Sequence, residues 1–275
     1  MTFVEIKIDD QKVKVLDKGF VQLLDVSPRI VPSGYTAEYA IVEAARVSYM
    51  GETKSPIQDA SLISYLYRHR HTSPFEQVSF RWRLKVPRFV ATQILRHRMA
   101  KPNERSQRYT PNFEHEFYKP STIENGIRSE NVVNKQSSIY LTSEAQKDLV
   151  KHAEEKSEEM FILYDQMIKL GIAKEVARGF LPLSTYTEMI ITFDLNNVLK
   201  FFSLRCDENT QFETREVAKQ MLESIKDLIP TTYKCFINQS EGIFLTREDL
   251  KRKRGDNFDH TAGEGREYVE KMKKF

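Results

Sequence analysis

Cysteine is scarce: the 275-residue chain holds two, Cys206 and Cys235, and they form no C-x-x-C pair. Neither a disulfide framework nor a zinc knuckle is indicated by that usage. Glycine and proline number ten each, with glycine at about half its ordinary share of roughly 7%, which excludes collagen-like and low-complexity chains. Nowhere do about 18 apolar residues follow one another. The opening residues, MTFVEIKIDDQKVKV, mix acids and lysines without an apolar run, so neither a spanning helix nor a secretory leader is expected. The expectation is a cytoplasmic protein without membrane association. Charge of one sign is also in short supply. Lys and Arg total 42 against 39 Asp and Glu, a net charge of +3, small for a chain that coats nucleic acid.

What is present is the balance of a globular protein, with 40% hydrophobic, 11% aromatic and 29% charged residues. At about 100 to 200 residues per domain, the length allows one large domain or two modest ones. Composition changes near Glu241, where the chain turns polar and carries Lys251-Arg252-Lys253-Arg254-Gly255. The expected organisation is therefore one domain over residues 1–240, followed by a polar, mobile extension over 241–275.

Val4, Ile6 and Ile8 alternate with Glu5 and Lys7, and an apolar run follows Asp17-Lys18-Gly19, so the chain opens on short strands. Helices are expected over Ala37–Arg46 and Asp59–Arg70, and Ser73-Pro74-Phe75-Glu76 has the residues of a helix start. Val78, Phe80, Trp82, Leu84 and Val86 alternate with polar residues and give the clearest strand, ended by Pro87. A helix over Arg88–Arg98 would place Gln93 and Arg96 on one face. Residues 120–138 read as a surface loop. Ser143 to Leu170 reads as a long helix with Ser143 and Gln146 as a capping pair and Gly171 at its end. Tyr186–Phe193 reads as β, while Asn197–Leu204 and Phe212–Leu228 read as helices, the last reaching Pro230. A strand and helix mixture without regular βαβ spacing predicts a mixed α/β (α+β) fold, and the absence of a G-x-G-x-x-G after a strand argues against a Rossmann crossover.

The chemistry is concentrated between Arg88 and Arg108, where six basic residues stand against one acid, Glu104. A surplus confined to so short a segment suits a compact polyanion such as a nucleotide phosphate better than a long duplex. An irregular stretch after Arg96-His97-Arg98 would let the segment wrap one anion. Beyond it, Ser106 and Arg108 would point the same way on an extended chain.

The run Arg96-His97-Arg98 to Ser106 matches R-H-R-x7-S, and with Asn103-Glu104, Arg108 and Tyr109 it resembles the signature of flavin-dependent thymidylate synthases. Asp17–Val21, Ala44–Ser48, His71–Glu76, Glu175–Arg178 with Leu181-Pro182-Leu183, and Leu204-Arg205 followed by Gln211 resemble further segments of that family in order. The resemblance spans about residues 13–230. It implies reductive methylation of dUMP to dTMP, with methylenetetrahydrofolate as carbon donor, NADPH as reductant and FAD as cofactor, in a homotetramer whose sites are shared between subunits.

By the same resemblance Gln93, Arg96, Glu104, Arg105, Ser106, Arg108, Arg178 and Arg205 would surround dUMP, with Arg205 at the uracil edge and Arg205 and Ser106 the catalytic candidates. Ser48, His71, Ser73, Glu76, Arg96, His97, Arg98, Glu104, Asp194 and Lys200 would meet FAD. Asp194 and Lys200 stand where the family commonly has asparagines, Asn196 where it has an arginine, Asn209 where it has a histidine, and Lys101-Pro102 replaces a small residue and its neighbour. The uracil end is thus better preserved than the flavin end. No metal is expected, since His69 and His71 lack a third ligand nearby. Cys206 lacks the proline-cysteine-histidine setting of the flavin-free synthases and reads as an ordinary thiol. Two other readings remain: a related flavoenzyme modifying a pyrimidine nucleotide differently, for example by hydroxymethylation, and a nucleic-acid module using Arg81, Trp82, Arg83 and the 88–108 cluster.

Overall fold

The computed structural model describes residues 2–48, 55–109, 115–131, 138–140 and 143–240. The expected extension over 241–275 lies outside them. In chain order the elements are β1 (Phe3–Glu5), β2 (Val13–Val15), β3 (Gly19–Ser27), β4 (Ile30–Pro32), α1 (Tyr39–Val47), α2 (Pro56–Arg68), β5 (Ser79–Pro87), α3 (Arg88–Ile94) and β6 (Lys101–Glu104). After them come β7 (Ser129–Glu130), β8 (Ser138–Ile139), α4 (Glu144–Lys169), α5 (Lys174–Ala177), β9 (Tyr186–Asp194), α6 (Leu195–Arg205), α7 (Phe212–Glu223) and α8 (Pro230–Ser240).

The main sheet has the order β2-β3-β5-β9-β6. Every pairing within it is antiparallel, so among the described residues this sheet contains no βαβ crossover, in keeping with the expected mixed fold. β5 forms because Phe80, Trp82, Leu84 and Val86 alternate with charged residues, and all four are buried. Gly19 sits where β3 turns close to its neighbours: a Cβ there would lie 2.7 Å from the Lys85 carbonyl oxygen.

On the inner face Trp82 stacks among Phe80 and Phe193 and donates its Nε1–H to Ser224 Oγ at 3.0 Å. Helices α6 and α7 contribute Phe201, Phe202, Val217 and Met221 to the same core. The outer face is charged but paired: Arg83 donates to Glu188 through Nε at 2.9 Å, and Arg81 lies 3.4 Å from Asp25. This corrects the nucleic-acid reading, because Trp82 is fully buried and Arg81 and Arg83 already have carboxylate partners.

Long helix α4 follows its capping box, with Ser143 and Gln146 bonded reciprocally, and Gly171 takes the left-handed conformation at φ +83° after its last turn. Other boundaries differ from expectation. The helix after β5 stops at Ile94, short of Arg98, because tight turns take over: Arg96 N–H bonds the Gln93 carbonyl and His97 N–H the Ile94 carbonyl. Residues 101–104, expected to be irregular, form β6. The segment expected to run helical as far as Pro230 stops at Glu223, and Pro230 instead opens a helix, α8.

Helix α8 has its first turn capped from a distance. The buried Glu38 carboxylate accepts the Thr232 N–H at 2.6 Å and the Thr231 N–H at 3.2 Å. Burial lifts the Glu38 carboxyl above its ordinary 4.5, opposed by those same bonds. The folded state therefore holds this proton more tightly than the unfolded chain, and the stability linked to it is present below 4.5 and lost as pH rises through the folded value. Replacing Glu38 with Ala leaves two N–H groups without their acceptor, and urea denaturation should show a loss of about 1–3 kcal/mol. Glu38→Gln should lose less and should lack this pH dependence. A Glu38→Ala midpoint equal to the parent's would refute the capping role.

Candidate active site

Three short-range decisions build the site. First, α3 ends after two turns, and the chain folds over itself at residues 95–100 before joining the sheet edge as β6. Arg96 and Arg98 are left exposed, and His97 turns inward, edge-on to Phe201 of α6 at 4.9 Å. Second, β9 runs straight into α6, whose first turn is capped by Asp194: one carboxylate oxygen accepts the Asn197 N–H at 2.9 Å and the other its side-chain amide at 2.7 Å. Third, α6 ends at Arg205, bringing that guanidinium back beside the 93–97 turn.

At that meeting point Arg205 Nε donates to His97 Nε2 at 3.1 Å, and an Arg205 terminal nitrogen lies 3.5 Å from the Gln93 carbonyl. The Gln93 side chain accepts from Thr214 Oγ1 at 3.1 Å and donates to Gln211 Oε1. Burial lowers the Arg205 pKa, while burial and then Arg205 lower that of His97. Among the described residues Arg205 has no carboxylate partner.

Beyond β6 the chain forms the second half of the motif. Arg105 N–H bonds the Glu188 carbonyl at 2.8 Å and its guanidinium lies 3.8 Å from the Glu188 carboxylate. Glu104 accepts from Thr187 Oγ1 at 2.8 Å. Residues 107–109 then turn instead of running extended as expected, with Ser106 Oγ accepting the Arg108 N–H at 3.3 Å. Gln107 points inward, 4% exposed, and accepts from Arg88 at 2.8 Å. This anchor escaped sequence reasoning, whose only signal was the parity of a polar residue between two outward ones. Arg108 lies 3.6 Å from Glu175, one helical turn before Arg178, so Glu175 pairs with the loop and not with Arg178.

The predicted dUMP residues therefore fall into two groups. Gln93, Arg96 and Arg205 lie before β6, and Ser106, Arg108 and Arg178 lie beyond it. β6 stands between the two groups along the chain, and Arg88 at the start of α3 reaches both Glu104 at 4.0 Å and Gln107 at 2.8 Å.

The predicted flavin residues divide: Glu76 and Asp194 stand at the start of α6, about 15 Å along its eleven residues from Arg205, and Lys200 near its middle, whereas Arg96, His97 and Arg98 lie on the turn beside Arg205 and Glu104 ends β6. Glu76, on the 3₁₀ turn Ser73–Gln77, accepts from Asn196 at 3.0 Å. Asp194 has both carboxylate oxygens engaged in capping. His71 is set by the end of α2: its N–H reaches the Leu66 carbonyl at 2.9 Å, and Arg70 takes the left-handed conformation at φ 57° that glycine usually fills. Ser48 ends α1 as its C-cap. Thr72 and Lys200 stand at a cavity of about 1120 Å³ between α2, α6, α7 and α8, which Arg70 and Asn196 also line. Cys206 lines it too, with its thiol pushed up to about 12 by burial. Among the described residues no three His, Cys, Asp or Glu side chains are grouped to hold a metal, and no helix is long and apolar enough to cross a membrane.

Residues 30–231 match the family described as thymidylate synthase complementing protein. The flavin-dependent thymidylate synthase of Dictyostelium discoideum is 38% identical over 87% of this chain and 78% of its own length. That of Thermus thermophilus is 41% identical over 88% and 85%. Among solved structures, the UMP/dUMP methylase PolB from Streptomyces cacaoi bound with 5-Br dUMP superposes with a TM-score of 0.69 at 28% identity, covering 82% of this chain and 97% of that one. With the motif, the fold and these relatives in agreement, the chain belongs to the flavin-dependent thymidylate synthases and is an enzyme of that family.

Proposed function

We propose that this enzyme methylates dUMP reductively to dTMP, using methylenetetrahydrofolate, NADPH and FAD. The observation that carries the reading is the convergence of Gln93, His97 and Arg205 at one point, inside the segment matched to the family. The likeness to a methylase bound with 5-Br dUMP supports a pyrimidine nucleotide as substrate.

In this reading Arg205 faces the uracil edge. Negative charge grows on the ring as it is activated for C5 to attack the electrophilic methylene carbon, and again as C5 gives up its proton, and a fixed, half-buried guanidinium without a carboxylate partner stabilises that charge. Arg96, Arg108 and Arg178, with the Ser106 hydroxyl, are suited to the phosphate through charge-assisted bonds. Because the two groups stand at opposite ends of β6, one dUMP takes the first group from one subunit and the second from another, the arrangement a homotetramer with shared sites would provide.

The residues present fit FAD. The cavity of about 1120 Å³ is of the size of a ligand site, its walls include Tyr67 and Phe236, and Arg70 and Lys200 line it as partners for phosphate. Ser73 and Glu76 stand on the turn that follows Thr72, a residue of its wall. FAD, when bound, supplies the hydride that completes the methyl group.

Protein purified without added cofactor should release FAD on denaturation, and it should free tritium from [5-³H]dUMP only with methylenetetrahydrofolate and NADPH present. Neither flavin release nor flavin binding on titration would end the reading. UMP run in parallel tests a ribonucleotide substrate, since the UMP/dUMP methylase is also seen bound with 5-Br UMP.

Arg205→Ala should lower kcat about 100-fold, equivalent to roughly 3 kcal/mol of barrier, with a much smaller change in dUMP affinity. Equal losses in both would reduce Arg205 to substrate holding.

Ser106 positions dUMP in this reading and forms no covalent bond to it, and the raised Cys206 thiol stays protonated at neutral pH. Ser106→Ala should therefore keep measurable turnover, and Cys206→Ala and Cys235→Ala should stay near the parent. A nucleotide adduct on either cysteine by mass spectrometry would contradict this.

A further inference from the structure

We infer that His97 is the positioning residue for Arg205: a neutral imidazole, protonated at Nδ1, accepts the Arg205 Nε–H at Nε2 and thereby fixes the plane of the guanidinium. The inference rests on the reading of Arg205 as the cation at the uracil edge.

The tautomer follows from donor arithmetic. An arginine Nε–H donates and has nothing with which to accept, so a ring nitrogen 3.1 Å away must carry a free lone pair. The proton of the neutral ring is then on Nδ1. Phe201 holds the ring edge-on at 4.9 Å and 81°, which limits its rotation. The other tie to Arg205, the Gln93 carbonyl at 3.5 Å, is at the outer limit of a hydrogen bond. Among the described residues no carboxylate holds this guanidinium, in contrast to Arg46 on Asp59 and Arg83 on Glu188. The contrast has a chemical reason. A carboxylate would orient Arg205 and also cancel the charge that the uracil requires, whereas a neutral imidazole orients it and leaves the charge in place.

The charged group facing His97 is Arg205 from α6; Arg96 and Arg98, its neighbours on the same turn, are exposed. Phe201 from α6 and Gln93 from α3 present no charge. Protonation of His97 would set one N–H against another and a cation beside cations, so the bond is broken in acid. Burial and Arg205 both hold the ring below the ordinary 6.5, which keeps it neutral at physiological pH.

Long-range ¹H–¹⁵N NMR of the nucleotide-free protein, with the resonance assigned from the His97→Gln spectrum, should show an Nδ1–H ring that titrates below 6.5 and rises in Arg205→Gln. In kinetics at pH 8, with FAD added to saturation, His97→Leu should lose about 100-fold in kcat, as expected for a misplaced catalytic group, with dUMP affinity near the parent's. His97→Gln, whose amide oxygen can replace Nε2 as acceptor, should recover a substantial part of that loss and should lack the acid limb of the parent's pH profile. An Nε2–H ring, a titration indifferent to Arg205→Gln, or equal impairment by Leu and Gln would each overturn the inference. The NMR arm needs neither nucleotide nor turnover. A parent protein that fails to methylate dUMP yet keeps the His97–Arg205 coupling would therefore sink the functional reading and leave the pair standing.

Discussion

At Asp194 a strand becomes a helix with no loop between them, and the positions of both predicted sites depend on that junction. β9 pairs with β5 on one side and β6 on the other, so its direction is set by two ladders. The carboxylate of Asp194 then satisfies the Asn197 N–H and starts α6 at a fixed angle. From there the geometry is helical: Asn196 and Lys200 come early, and Arg205 arrives three turns on. A cap of this kind contributes about 1 kcal/mol to stability. Its larger effect is to fix the direction of α6, one side of which lines the cavity from Asn196 to Cys206 while its last residue, Arg205, turns toward His97.

The distribution of charge follows the same division. On the outer face of the sheet Arg81, Arg83 and Lys85 are met by Asp25, Glu188 and Glu116, so that face is electrically closed. Arg96 and Arg98, exposed, and the half-buried Arg205 have no such partners among the described residues. Leaving cations uncompensated lowers stability, and that cost is characteristic of a surface built for an anion.

How much of this was legible in the sequence depends on the range of the interaction. The alternation of β5, the capping box of α4 and the αL glycine after it are local and were read correctly, because each is decided within a few residues. β6 was not legible: Lys101-Pro102-Asn103-Glu104 has poor strand propensity, and it is extended because β9 offers it a free edge. α8 is hidden in the sequence for the opposite reason. Pro230 reads locally as a stop, whereas the acceptor that makes it a start is Glu38, almost two hundred residues away. The motif from Arg96 to Arg108 pointed to the right family from sequence, but its division by a strand could be seen only in three dimensions.

That division bears on how one short segment tolerates so many bases. Arg88, Arg105 and Arg108 have Glu104, Glu188 and Glu175 beside them at 4.0, 3.8 and 3.6 Å, so half of the six bases are already met by a carboxylate. Six bases wrapped around one empty point would repel one another at close range in each free chain. The bases left over, Arg96 and Arg98 among them, are exposed to water, where salt screens them until a ligand's own negative charge offsets their repulsion. The carboxylates that meet Arg88, Arg105 and Arg108 thus keep the chain from bearing the full electrostatic cost of six bases in one short segment.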